Sequence, residues 1–132
     1  MNVRVLAVYD RSVLGDLTVE AALRFSRTHD VAEMHILAIV AAPDSAIERG
    51  LMNDDLLAFA RLGQRQGVVV DGCVIATLDA ERVATEIRQR KIDDLIIAEP
   101  VGLENHSAIT ELLDEAAKAT GITTIVVREE VA

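Results

Sequence analysis

Apolar runs alternate with helical patterns along this chain of 132 residues. When strands alternate with helices in this way, the strands pair in parallel and the helices cross over between them. The predicted strands are Val3–Tyr9, Glu33–Val40, Val68–Thr77, Asp94–Ala98 and Ile122–Arg128. The sequence therefore predicts a single α/β domain with a parallel sheet covered by helices.

Capping residues and apolar periodicity place helices between these strands. Each helix is expected to present one apolar stripe to the sheet. Four helices are predicted. The first begins at Asp16, after a loop over Arg11–Gly15, and the second runs from Asp44 or Ser45 to Gln66. The third begins after Asp79, and the fourth runs from Ser107 to Thr120, with Gly121 as the stop signal. The polar patch Asn53–Asp55 leaves open whether the second of these helices is continuous.

Composition excludes several classes of partner. The net charge of -9 disfavours binding to nucleic acid or to an anionic membrane, because both require clustered Lys and Arg. Aromatic residues make up 2% of the chain, so the core is expected to consist of small aliphatic side chains, which suits a parallel sheet. Cys73 is the single cysteine, and no apolar run is long enough to span a membrane. These features predict a cytoplasmic protein with no direct membrane insertion.

The segment from Ile96 to Ser107 joins the fourth strand to the last helix, where an open α/β sheet usually holds its ligand. A loop that cradles phosphate needs free backbone N–H groups and little negative charge nearby. Glu99 and Glu104 bring negative charge, Pro100 has no N–H group, and Gly102 keeps the expected flexibility. The segment therefore predicts that this junction does not bind ATP. Alternatively, Pro100 closes the loop so that no crevice remains.

Four segments together resemble the universal stress proteins: Val3–Ser12, His35–Val40, Asp94–Ala98 and Ile125–Arg128. The resemblance spans the chain in order and spacing. It implies an adenine nucleotide alpha hydrolase-like fold, with five parallel strands in the order 3-2-1-4-5 and helices on both faces. Winding reverses between strands one and four in that order, so a crevice is expected between Asp10 and the segment that starts at Glu99.

The family's nucleotide-binding members carry a glycine motif after strand four, which this chain lacks. The first two glycine positions of that motif fall on Glu99 and Gly102. The later glycine and hydroxyl positions fall on Leu112 and Leu113, or on Thr110 and Glu111 in a second register. The resemblance thus points to the branch of the family that functions without ATP.

The nucleoside half of the family's site is retained. Asp10 matches the aspartate that faces the nucleoside, and Val40 matches the position that lines the base. Gly102 and the N–H groups near Ser107 could still receive a phosphate. A turn aspartate that accepts backbone N–H groups is the competing interpretation of Asp10. AMP or a nucleoside therefore stays possible as a ligand.

The leading functional hypothesis is a noncatalytic protein that acts through contacts with an unidentified protein partner. The resemblance implies a homodimer joined by the last strand, and the apolar edge at Thr123, Ile125 and Val127 independently favours one. The alternatives are a binder of a nucleoside or AMP, and a regulatory domain of a membrane transporter. No catalytic group and no metal site is predicted, because the histidines and Cys73 lack the short spacing of metal ligands.

Overall fold

All five strands pair in parallel in the sheet order β3-β2-β1-β4-β5. The computed structural model describes residues 3–40, 44–76, 78–100 and 108–129. The elements are β1 (Arg4–Tyr9), α1 (Val13–Thr28), β2 (Glu33–Ile39), α2 (Ala46–Gln66), β3 (Val70–Ile75), α3 (Ala80–Arg90), β4 (Asp94–Pro100), α4 (Ala108–Thr120) and β5 (Thr123–Glu129). The strand order implied by the resemblance is therefore confirmed, and the direction of winding reverses between β1 and β4.

Alternation along the strands builds a separate core on each face of the sheet. One core contains Val5 and Ala7 of β1 and packs against α1 and α2. The other contains Leu6 and Val8 of β1 and packs against α3 and α4. Because β1 is central and covered on both faces, its side chains from Val5 to Tyr9 are all buried.

The first helix begins earlier than predicted. Ser12, not Asp16, is its N-cap, because Ser12 Oγ accepts a hydrogen bond from the backbone N–H of Gly15 at 3.0 Å. Asp16 lies in the first turn, where a carboxylate favours the positive end of the helix dipole. The predicted loop over Arg11–Gly15 was therefore wrong from Val13 onward.

The other helix boundaries follow the sequence signals closely. Ser45 caps α2, which continues to Gln66 without interruption, so the polar patch does not break it. Asp79 caps α3 as predicted, and its side chain accepts from the N–H of Arg82 at 2.7 Å. Gly67 and Gly121 both take the positive φ that ends a helix cleanly.

Two strands, β3 and β4, differ from their predicted lengths by more than one residue. β3 begins at Val70 and not at Val68, because the N–H of Val68 bonds to the carbonyl of Gly63 at the end of α2. β4 continues two residues past Ala98, since β5 pairs with Glu99 and Pro100. On the other side of β4, β1 pairs only with Asp94 and Leu95. Pro100, at the carboxyl end of β4, therefore removes no hydrogen bond to β1.

Among the described residues, no helix combines the length and apolarity that crossing a membrane requires.

Candidate functional site

A small cavity lies at the carboxyl ends of β1 and β4, where the winding of the sheet reverses. The side chains that line it come from β1, β4, α1, α4 and the turn after β1. They are mainly apolar, with Val8, Leu14, Ile96, Ile97, Ile109 and Leu113 beside Asp10, Ser12, Gly15, Thr18 and Thr110. The cavity has a volume of about 30 Å³. That volume can hold a water molecule, whereas pockets for small ligands typically measure about 300–1,000 Å³.

Asp10 lies at this cavity and is bound to its own turn. Its Oδ1 accepts hydrogen bonds from the backbone N–H of Ser12, at 3.1 Å, and from the Ser12 hydroxyl. The Ser12 Oγ in turn accepts from the N–H of Gly15. Asp10 thus fixes the residue that begins α1, which is the turn role that competed with ligand binding in the sequence.

Close backbone contact reinforces this turn. A Cβ at position 15 would lie 2.8 Å from Asp10 Oδ1 and 3.1 Å from the Asp10 nitrogen, so a side chain larger than that of glycine would displace the turn. Gly15 is therefore required by the close approach of α1 to the end of β1.

Arg11 adopts a left-handed backbone conformation between Asp10 and Ser12, with φ at 66°. This conformation is uncommon for a residue with a side chain. The Arg11 guanidinium pairs with Asp55 of α2 at 3.0 Å, and Asp55 also accepts from the Tyr9 hydroxyl at 2.8 Å. Burial and the hydrogen bond to Asp55 raise the pKa of Tyr9 above its ordinary value. The polar patch of α2 thus helps to hold the turn after β1.

Of the remaining predicted site residues, Leu113 lines the cavity, whereas Leu112, Val40 and Glu99 do not. Leu113 lines it, while its neighbour Leu112 is half-buried against the core beneath α3 and α4. Val40 is buried in the core beneath α1 and α2 and does not line it. Glu99 is half-buried, is not among the lining residues and lies in register with Arg128 of β5. Gly102 and Ser107 lie outside the described residues, as do Glu104 and the side chain of Pro100.

The last strand forms one edge of the sheet, as the strand order implied by the family resemblance predicted. Ile125 and Val127 pack against the core beneath α1 and α2, and Thr123 is exposed. Val126 points to the other face and is 51% exposed. An open groove of about 360 Å³ follows this edge between α1 and β5, with Phe25 and Val127 among the residues that line it.

Sequence spacing missed a second group of chemically capable side chains, located beneath α3. His35 of β2, Cys73 of β3 and Glu86 of α3 place ligand-capable atoms within 4.8 Å of one another. The parallel register of β2 and β3 brings the first two together, since His35 pairs with Asp71 and Leu37 pairs with Cys73. The sequence signal that could have found this group is alternation: Asp71 and Cys73 lie two residues apart and so share one face of a predicted strand, and His35 lies in the neighbouring strand.

Burial sets the protonation behaviour of this second group. Burial, and then the charge of Arg90, lowers the pKa of His35 to about 4. Burial, followed by the charge of Glu86, raises the pKa of the Cys73 thiol. The imidazole is therefore neutral near pH 7.

Known proteins resemble this chain in structure and not in sequence. No family model matches it, and no curated protein matches it. A universal stress protein family structure from Burkholderia pseudomallei aligns with a TM-score of 0.68 at 13% identity, covering 94% of each chain. A universal stress protein in complex with cAMP aligns with a TM-score of 0.69 at 12% identity, covering 96% of this chain and 97% of the other.

A family protein from Arabidopsis thaliana with AMP bound aligns with a TM-score of 0.63 at 12% identity, covering 96% of this chain and 92% of the other. The coverage is nearly complete in both directions for all three structures, so the likeness concerns the whole sheet and its helices. At identities this low, the likeness establishes the fold and not the ligand. The chain therefore has the adenine nucleotide alpha hydrolase-like fold of the universal stress proteins.

Proposed function

We propose that this chain is a noncatalytic, cytoplasmic universal stress protein that does not bind ATP and acts through contacts with other proteins. The observation that carries the proposal is the volume of about 30 Å³ of the cavity that the described residues line at the carboxyl ends of β1 and β4. This volume is about a tenth of the smallest usual ligand pocket.

The polar groups at the cavity support a structural role in place of catalysis. The Ser12 hydroxyl donates to Asp10 and accepts from the N–H of Gly15, so it already serves as the helix cap. A serine nucleophile needs an adjacent base that takes its proton, typically a histidine. The carboxylate of Asp10 is instead committed to fixing the turn.

The strand β5 offers a surface for protein contacts. It is an edge strand, and the exposed Val126 together with the groove beside Val127 makes this edge partly apolar. Uncovered apolar edges favour pairing with another strand. We infer a homodimer in which β5, through Thr123, Ile125 and Val127, pairs with β5 of a second copy.

Light scattering coupled to size exclusion tests the dimer. The wild type is expected at twice the chain mass of 14.3 kDa, and Val126→Asp at the monomer mass, because the substitution places a charged side chain on the pairing strand of each copy. Val69→Asp is the matched control, since Val69 is 60% exposed next to the opposite edge strand and should leave the dimer intact. A monomeric wild type would refute the edge-strand interface.

Calorimetric titration with ATP tests the proposed absence of nucleotide binding. No saturable heat is expected, because the cavity that the described residues line is too small for a triphosphate. Micromolar affinity for ATP would overturn this proposal whatever the oligomeric state.

A nucleoside or AMP is the second candidate ligand, and the position of Asp10 at the cavity favours it. Related folds with cAMP or AMP bound add support. This alternative requires Asp10 to exchange its bonds to Ser12 for bonds to the ligand. It predicts that adenosine binds in the same calorimeter while ATP does not, and that Asp10→Ala abolishes the adenosine signal.

A further inference from the structure

The polar group beneath α3 lies apart from the cavity and is not used by the proposed function. His35 is near the amino end of β2, whereas the cavity lies at the carboxyl ends of β1 and β4. Three elements contribute to the group: β2 through His35, β3 through Cys73 and α3 through Glu86. A nitrogen, a sulfur and an oxygen donor thus meet between the sheet and one helix.

The distance between the nitrogen and sulfur donors suits a shared metal ion. Cys73 Sγ lies 3.7 Å from His35 Nε2. Zinc bonds of about 2.3 Å to sulfur and about 2.0 Å to nitrogen, at a tetrahedral angle, place the two donors about 3.5 Å apart. The side chains therefore need little movement to bind one Zn²⁺ together.

His35 carries an unsatisfied polar atom at this position. The residue is 1% exposed, and among the described residues its Nδ1 has no hydrogen-bond partner. Unpaired buried polar atoms are costly, so native proteins rarely keep them without a reason. Asp71 Oδ2 lies 4.0 Å from this Nδ1. A carboxylate that accepts from the outer nitrogen of a metal-bound histidine is a common support for zinc ligands.

Glu86 can act as the third ligand while it keeps its arginine partners. It is 4% exposed, and its two oxygens separately accept from Arg82 at 3.1 Å and from Arg90 at 2.7 Å. Each carboxylate oxygen has two lone pairs, so one remains available on each. Asp71 lies 3.7 Å from Arg90. The Asp71 carboxylate adds negative charge that offsets the positive charge of the two guanidinium groups.

We propose that His35 Nε2, Cys73 Sγ and the Glu86 carboxylate bind one Zn²⁺, with Asp71 as the outer partner of His35. The mixed nitrogen, sulfur and oxygen donor set suits zinc better than the oxygen-preferring Mg²⁺ or Ca²⁺. Cys73 is half-buried and lies in β3, an edge strand of the sheet. Binding forms a zinc–sulfur bond and releases the thiol proton to the buffer.

Calorimetric titration of the untagged, chelator-treated full chain with Zn²⁺ tests the site. One Zn²⁺ per chain is expected, with release of about one proton when the titration is repeated in buffers of different ionisation enthalpy. Cys73→Ala should lose the proton release and weaken binding more than about 100-fold, and Asp71→Asn should weaken it about 10-fold. Co²⁺ in place of Zn²⁺ should give thiolate charge-transfer absorption in the wild type and none in Cys73→Ala.

His29→Ala is the matched control, because His29 is exposed and stacks on Phe25 of α1, on the opposite face of the sheet. Its zinc affinity should equal that of the wild type. Glu86→Gln separates ligation from simple packing, because the amide keeps the shape of the side chain and removes its charge. A loss of zinc affinity in this variant would therefore report ligation by Glu86. No saturable binding of Zn²⁺, or binding that survives in Cys73→Ala, would overturn the proposal and would leave the proposed function unaffected.

Discussion

Asp10→Ala is expected to destabilise the protein in the absence of any ligand. The substitution removes the acceptor for the N–H and the hydroxyl of Ser12, and it frees the cap that begins α1. Hydrogen bonds to charged groups contribute about 1.5–3 kcal/mol each when buried, and less at a partly exposed turn. For two bonds at the end of β1 we expect a loss of about 2 kcal/mol in the free energy of unfolding.

The same reasoning predicts non-additivity with Ser12→Ala. That substitution alone should cost about 1 kcal/mol through loss of the cap, plus the shared bond between Ser12 and Asp10. Because the double variant loses the shared bond only once, its destabilisation should be about 1 kcal/mol smaller than the sum of the two single changes. Urea denaturation followed by far-ultraviolet circular dichroism measures all three free energies.

Asp16→Ala is the matched control for this experiment, since Asp16 is an exposed carboxylate in the first turn of the same helix. It should cost only about 0.3–1 kcal/mol, from its interaction with the helix dipole. An Asp10→Ala variant as stable as the wild type, or strictly additive with Ser12→Ala, would refute the structural role of Asp10. A ligand role would then become the better explanation of this residue.

Three further predictions concern stability. Gly63→Ala should lower the free energy of unfolding by about 2 kcal/mol, because the new Cβ would lie 2.8 Å from the Val68 carbonyl oxygen. Gly50→Ala in the same helix has open space and should raise the free energy of unfolding by about 0.5–1 kcal/mol. Equal effects of the two substitutions in urea denaturation would refute this contrast. Thr18→Val should cost about 1–2 kcal/mol, because the buried N–H of Ala98 donates to Thr18 Oγ1 at 3.3 Å, while Thr18→Ser should retain most of the stability. Because the pKa of His35 is lowered to about 4, the imidazole takes up a proton in the unfolded chain at a higher pH than in the folded chain. The free energy of unfolding should therefore fall by about 3 kcal/mol as the pH falls from 6.5 to about 4. In chelator, His35→Gln should show a shallower loss over that window, and an identical pH dependence would contradict the assignment.

The main elements could be predicted because their signals are local. Asp79 precedes an apolar stripe with helical spacing, and Val83, Ala84 and Ile87 of that stripe are all buried against the sheet. The apolar runs of the strands likewise became the sheet, since strands buried on both faces need near-continuous apolar sequence. The sheet order came from the family resemblance, because local patterns carry no information on which strands are neighbours.

Predictions failed where two local signals competed. Ser12 and Asp16 are both good helix caps, and only the position of Asp10 at the end of β1 selects Ser12. Asp10 lines the cavity, and its hydrogen bonds within the turn depend on the path that the chain takes through Arg11.

By itself, the sequence determined the fold class and the helix caps of α2 and α3, while the family resemblance supplied the sheet order and with it the edge position of β5. Tertiary structure alone decided how small the cavity is and which polar side chains meet. Ile109 and Leu113 of α4 line the cavity at the end of β1, and the register between β2 and β3 brings His35 to Cys73. Spacing along the chain encodes which face of an element a side chain occupies, but distances between elements are fixed only when helices and strands pack together.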